Sequence, residues 1–269
     1  MNIISWNVNG LNAIVKKGFF ESIKNLDPHI LCLQETKAST SKTIEILSAI
    51  NEYHIFCNSA VKKGYSGTVL LSKIKPISVT YDFNDKKQEP IGRLICAEFE
   101  AFFLLNVYVP NSGKLLQNIN ERKLWDVHFL RYSENLKSIK PVIICGDLNV
   151  AHQPMDLKND QANYNKTAGY TQIEIDGFNK LLNLGFIDTF RYLHPTKIAY
   201  TFWSYRFNAR VRNIGWRTNG CLRFFCGINC RAIYSRYWGV NWFKCGLRKR
   251  SGRWYCYGNN DYSVCFFFV

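Results

Sequence analysis

Short apolar runs that break off in an oxygen-bearing side chain recur along this chain, and they constrain its fold more than any other feature. Val142-Ile-Ile-Cys145 runs into Gly146 and then presents Asp147 and Asn149. Ile30-Leu-Cys-Leu33 runs through Gln34 to Glu35, and Ile3-Ile-Ser-Trp6 ends in Asn7, with Asn9 two residues on. Short apolar runs of this kind read as buried strands. Side chains two apart on extended backbone point the same way, which pairs Asp147 with Asn149 and Asn7 with Asn9. Three buried strands that each deliver oxygen atoms at one end predict one shared site. Carboxylates and amides together suit a hard metal ion and a polar substrate.

The rest of residues 1–217 alternates strand-like and helix-like stretches. Strands are expected over 2–7, 30–34, 53–57, 67–72, 93–99, 103–109, 142–146 and 200–204, and helices over 16–26, 41–50, 119–138 and 171–184. Pro28 stops the first helix, and Thr171 with Glu174 has capping-box spacing at the start of the last. In Phe103–Val109, Phe103, Leu105, Val107 and Val109 share one face; Asn106 and Tyr108 share the other, which aims Tyr108 at the mouth of the sheet. This mixture predicts α/β layers. At 269 residues the chain can bury a sizeable core. It shows no internal repeat, no Pro/Ser linker and no apolar run long enough for a membrane helix. Nor does it begin with a basic-then-apolar leader, so an intracellular, soluble protein is expected.

Seven segments, in order, carry a resemblance: Ile4-Ser-Trp-Asn-Val-Asn-Gly10, Leu33-Gln-Glu-Thr-Lys37, Gly64-Tyr-Ser-Gly67, Asn106-Val-Tyr-Val-Pro-Asn111, Cys145-Gly-Asp-Leu-Asn-Val-Ala-His152, Ala168-Gly-Tyr-Thr171, and Tyr200-Thr-Phe-Trp203 through Gly215-Trp-Arg217. Together they resemble the exonuclease III family of apurinic/apyrimidinic endonucleases. The resemblance implies two packed β-sheets flanked by helices, a four-layer α/β sandwich. It implies hydrolysis of the DNA phosphodiester 5′ to abasic sites, with 3′–5′ exonuclease activity, and Mg2+ as cofactor, Mn2+ being possible. Its partner would be double-stranded DNA with abasic sites or 3′ ends, bound by a monomer with no membrane involved. Carried over by motif, the metal residues are Glu35 first, Asn7, which orients it or binds directly, Asp147 and Asn149; Asp147 also positions or deprotonates the attacking water, and Asn149 meets the scissile phosphate or a second metal. Tyr108 and Asn111 hydrogen-bond phosphate. Asn9, Lys37, Lys114 and Arg206 face DNA, and Phe202 and Trp216 resemble the apolar pocket for an extruded abasic sugar. His152 reads as structural. The cell compartment expected is the cytoplasm in a bacterium and the nucleus or an organelle in a eukaryote.

The resemblance stops at Arg217. The family continues with an apolar residue and Asp-Tyr, and later carries Ser-Asp-His; this chain reads Thr218-Asn219-Gly220. All five histidines precede residue 195, and the one acid after Arg217 is Asp261. The family's catalytic His and its paired Asp therefore have no counterpart here. Residues 218–269 also change character: 14 of 52 are aromatic, six are Cys and none is Glu. Those cysteines form no C-x-x-C pair, which argues against zinc. Of the net charge of +15, residues 1–217 carry +8, enough to favour a polyanion. We read 1–217 as a nuclease-type domain lacking its last strands, or with those strands disordered, and 218–269 as a frame-shifted segment. The runner-up reading of the tail is a basic-aromatic surface that stacks on single-stranded nucleic acid. By ancestry the chain reads as a DNA repair nuclease, impaired or inactive as it stands. The alternatives are a catalytically dead nucleic-acid-binding protein or a pseudogene product and, within the same fold, a phospholipid or sphingomyelin phosphodiesterase.

Overall fold

A computed structural model describes residues 1–83, 89–203, 215–217, 219–224, 230–234, 241–245, 248–250 and 253–255, the last five segments as backbone strands. The strands are β1 (Ile3–Asn7), β2 (Ile30–Gln34), β3 (His54–Asn58), β4 (Thr68–Ser72), β5 (Ser78–Tyr81), β6 (Leu94–Glu98), β7 (Phe103–Tyr108), β8 (Val142–Asp147), β9 (Phe186–Asp188), β10 (Phe202–Trp203), β11 (Gly215–Trp216), β12 (Asn219–Phe224), β13 (Cys230–Tyr234), β14 (Asn241–Cys245), β15 (Arg248–Arg250) and β16 (Arg253–Tyr255). The helices are α1 (Leu11–Val15), α2 (Phe19–Leu26), α3 (Thr40–Leu47), α4 (Ile119–Lys137), α5 (Asp160–Asn163), α6 (Gln172–Asn183) and α7 (Thr189–Leu193). One six-stranded sheet runs β13-β14-β1-β2-β4-β3 and the other β5-β6-β7-β8-β12-β9.

Alternation along each buried strand sorts side chains into three apolar layers. Ile3, Ile30, Cys32, Leu70, Ile95, Leu104, Ile143 and Cys145 fill the space between the sheets. Ile4, Trp6, Leu31, Leu33 and Val69 face outwards under Leu11, Phe19, Ile23 and Leu47 of α1–α3. Phe103, Leu105, Val107, Val142 and Ile144 face outwards under Trp125 and Phe129 of α4 and Phe178 and Leu181 of α6. Because both faces of the central strands are covered, their sequences read as continuous apolar runs. Asn106, on the same face of β7 as Tyr108, is buried and points between the sheets.

Two parallel pairs set the site. β1 pairs with β2, Asn7 beside Gln34, and β7 pairs with β8, Tyr108 beside Asp147. Parallel strands joined by helical crossovers end at the same edge, so four polar strand tips meet there. Gly146 permits the close pairing: at φ 147° it lies where a Cβ would fall 1.8 Å from the Val107 carbonyl oxygen. Just beneath the tips, Gln34 Nε2 donates across the sheets to Asn106 Oδ1 at 2.7 Å, and Asn106 Nδ2 donates to the Val69 carbonyl at 2.8 Å. Such buried bonds, each contributing about 1 kcal/mol net, fix how the two sheets register at this end.

The helix expected over 16–26 starts only at Phe19, after Gly18, which takes φ 83°, and a separate short helix, α1, precedes it. β5, β9 and α7 were not anticipated. The strand expected over 200–204 is described as Phe202–Trp203, paired with Gly215–Trp216. Beyond Arg217, β12 pairs antiparallel with β8 and β9, and β14 with β1. Main-chain ladders are indifferent to most side chains, and an open sheet edge accepts any chain able to extend beside it.

Candidate active site

Asn7 stands at the centre of the pole. Its Nδ2 donates to Glu35 Oε1 at 2.9 Å and to Asp147 Oδ2 at 2.8 Å, while its Oδ1 accepts the Asn9 backbone N–H at 3.0 Å. One amide thus joins carboxylates from the two sheets. Lys37 Nζ lies 2.9 Å from Glu35 Oε2 and donates to Asn9 Oδ1 at 2.5 Å. Asp147 is buried, and its Oδ1 accepts the Asn149 N–H at 3.1 Å. Asn149 Nδ2 donates to the Val109 carbonyl at 2.8 Å, and its Oδ1 accepts from Asn111 Nδ2 at 3.2 Å.

The backbone here is unusual. Asn9, Glu35, Lys37 and Asn149 all have positive φ, between 46° and 54°. Non-glycine residues enter this region rarely, and such conformations persist only where the surroundings over-determine them. Around Glu35 they do: its carbonyl accepts the Gly10 N–H at 2.7 Å, and Thr36 N–H donates to the Gly67 carbonyl at 3.1 Å. A Cβ on Gly67 would meet Thr36 Oγ1 at 2.2 Å, which accounts for glycine at the end of Gly64-Tyr-Ser-Gly67.

Tyr108 faces the same cluster. Burial pushes its phenol well above the ordinary tyrosine range, and the Glu35 and Asp147 carboxylates push it further. The opposing influence is Arg93, whose guanidinium lies 4.7 Å from the Tyr108 ring centroid and 5.2 Å from that of Tyr65. Tyr108 therefore remains a hydroxyl donor at any ordinary pH. The donor set of the pole is hard oxygen: Glu35, Asp147 and the amide oxygens. Among the described residues, no three His, Cys, Asp or Glu side chains cluster as a metal cage. A site with two carboxylates suits a cation that keeps several waters, as magnesium does.

Eight of the residues singled out by sequence, Asn7, Asn9, Glu35, Lys37, Tyr108, Asn111, Asp147 and Asn149, are brought together. Lys114 is exposed on the turn after Gly113, and Phe202 is 46% exposed. Arg206 and the Trp216 side chain lie outside the described residues. His152 shares a 2.8 Å hydrogen bond with Asn179 Oδ1 and packs on Phe178. Sequence reasoning missed Arg93 and Arg122, since a single arginine in a strand or helix carries no spacing signal. It read Glu174 as a helix cap alone. That residue is fully buried and also accepts from Ser112 Oγ, in the loop that follows Asn111.

Carboxylates, amides and a phenol gathered at one pole of a four-layer α/β sandwich make a class of site whose oxygen donors suit a hard cation. Comparison with known proteins agrees: residues 4–217 match the Endonuclease/Exonuclease/phosphatase family, and the chain belongs to it. An exodeoxyribonuclease of Bacillus subtilis is 47% identical over 219 residues, 81% of this chain and 85% of that protein. Recombination repair protein 1 of Drosophila melanogaster is 47% identical over 223 residues; the match takes in 82% of this chain and 32% of that longer protein. Among solved structures, an AP endonuclease from Archaeoglobus fulgidus superimposes with a TM-score of 0.79 at 25% identity, covering 91% of this chain and 98% of that one.

Proposed function

We propose that this chain descends from a DNA repair nuclease that hydrolyses the phosphodiester 5′ to abasic sites and trims 3′ ends, using magnesium or, in its place, manganese. The observation that carries the reading is the convergence of Glu35, Asp147, Asn149 and Tyr108 around Asn7 at one edge of both sheets. Exodeoxyribonuclease and repair names among its relatives support it. Glu35, oriented by Asn7, would hold the metal, which would supply charge neutralisation at the phosphoryl oxygens. Asp147 would orient and deprotonate the attacking water. Asn149 and Asn111, linked to each other, and the protonated Tyr108 would donate to non-bridging phosphate oxygens. Lys37 and Lys114, with Arg206, would grip the backbone, and Phe202 with Trp216 would line the pocket for the sugar.

The same reading holds that this polypeptide turns over poorly. The residues after Arg217 contain no His, and a positioned acid–base group contributes about 10²–10⁴ in rate. The family match ends at Arg217, where the motif breaks and the composition changes, which supports a shift of reading frame there. The test is to translate all three frames across codons 210–269 and express the version that regains Ser-Asp-His. That protein should cut a duplex 5′ to an abasic site with Mg2+, leaving a 3′-hydroxyl, and release no phosphocholine from lipid. Lipid hydrolysis without DNA incision would overturn the reading. If no frame contains the motif, the frame shift is wrong.

A further inference from the structure

We infer that Arg122 is a positioning residue: one buried guanidinium that locks together the two loops carrying Asn111 and Asn149. The inference rests on the nuclease reading for its meaning but on geometry for its substance. Arg122 lies on α4 and is 2% exposed. Its NH1 donates to the Pro110 carbonyl at 3.1 Å and to the Asn149 carbonyl at 3.0 Å, and its NH2 donates to the Leu148 carbonyl at 3.2 Å. The Nε–H is held by Asp126 at 2.9 Å, and Glu174 lies 3.7 Å from NH1. Planar, forked donors can reach three carbonyls on two loops at once; a lysine ammonium cannot reproduce that geometry.

The consequence falls on Asn149. This residue sits at φ 46°, a conformation held from both sides, with Asp147 Oδ1 on its N–H and Arg122 on its carbonyl. Its side chain is in turn tied to Asn111, whose own preceding carbonyl is the third acceptor of Arg122. Releasing the guanidinium frees both asparagines together. Glu174 would not be stranded, because it also accepts from Ser112 and from the Gly169 and Thr171 backbone N–H groups.

The experiment compares Arg122→Lys and Arg122→Met with Leu47→Ala, a core truncation in α3 on the other sheet, which lowers stability without touching the loops. Each protein is read for melting temperature, for the Asn111 and Asn149 amide resonances, and for Mg2+-dependent affinity towards a duplex bearing a tetrahydrofuran abasic analogue. Arg122→Lys should shift both asparagine resonances and weaken binding about 10-fold or more, as loss of an orienting partner does. Leu47→Ala should melt lower yet bind as the parent does. Unshifted asparagine resonances in Arg122→Lys, or equal affinity in Arg122→Lys and Leu47→Ala, would overturn the clamp. Should the parent bind no duplex at all, the nuclease reading fails, and the resonances alone decide the clamp.

Discussion

Tyr108 shows how a single side chain is tuned by its neighbours. Burial and the nearby Glu35 and Asp147 carboxylates all favour the neutral phenol. A raised pKa on an acid keeps the proton in place, so Tyr108 stays a donor well above the ordinary tyrosine value of about 10. Tyr108→Phe should therefore weaken duplex binding by the equivalent of about 1 kcal/mol, the net contribution of one hydrogen bond, while absorbance titration between neutral and mildly alkaline pH matches the parent. Loss of a titrating tyrosine in that window on making the variant would show that Tyr108 ionises there and is no donor. Most of this residue-level site was legible in the sequence, because strand tips and polar residues at fixed offsets are local facts. Arg93 and Arg122 were not, because their roles arise from long-range contacts that no spacing encodes.

At the scale of elements, a buried ion cluster holds β9, α7 and the segment after β11 together. Asp156 is fully buried and pairs with Arg191 and, at 2.8 Å, with Arg217 Nε; Arg217 also pairs with Asp188. Burial alone would raise the Asp156 carboxyl, but the Arg217 and Arg191 guanidiniums outweigh it and hold it below the usual value. A folded-state pKa below the unfolded one stabilises above the unfolded value and loses that contribution as pH falls through the folded one. Asp156→Asn should cost about 3 kcal/mol at neutral pH. Its melting temperature should also fall less steeply than the parent's on acidification below about pH 4. Parallel acid limbs for the two proteins in thermal unfolding would contradict this. The elements of the central sheets were readable as buried runs. The edges β5 and β9 were not, being short, and the α1–α2 break turns on one glycine whose positive φ depends on tertiary packing. Asn106 was assigned to the right face of β7, but that face is covered by the other sheet, and periodicity cannot distinguish a second sheet from solvent.

The whole molecule divides at one residue. Up to Arg217 the strand tips, the buried ion cluster and the family match form one consistent body. Beyond it, backbone strands join both sheets, yet residues 218–269 hold no histidine and one acid, Asp261. Ladder pairing can be satisfied by many sequences; catalysis requires particular side chains at particular places. The fold can thus outlast the chemistry. The central claim is that this chain keeps a nuclease's pole and lacks its acid–base partner. The most direct measurement sets the purified 269-residue chain beside its frame-restored counterpart, on one abasic duplex with Mg2+, scoring salt-dependent binding and incision together. The account predicts binding by both and incision faster by about 10²-fold or more in the restored protein. Incision by the 269-residue chain at a comparable rate would contradict it.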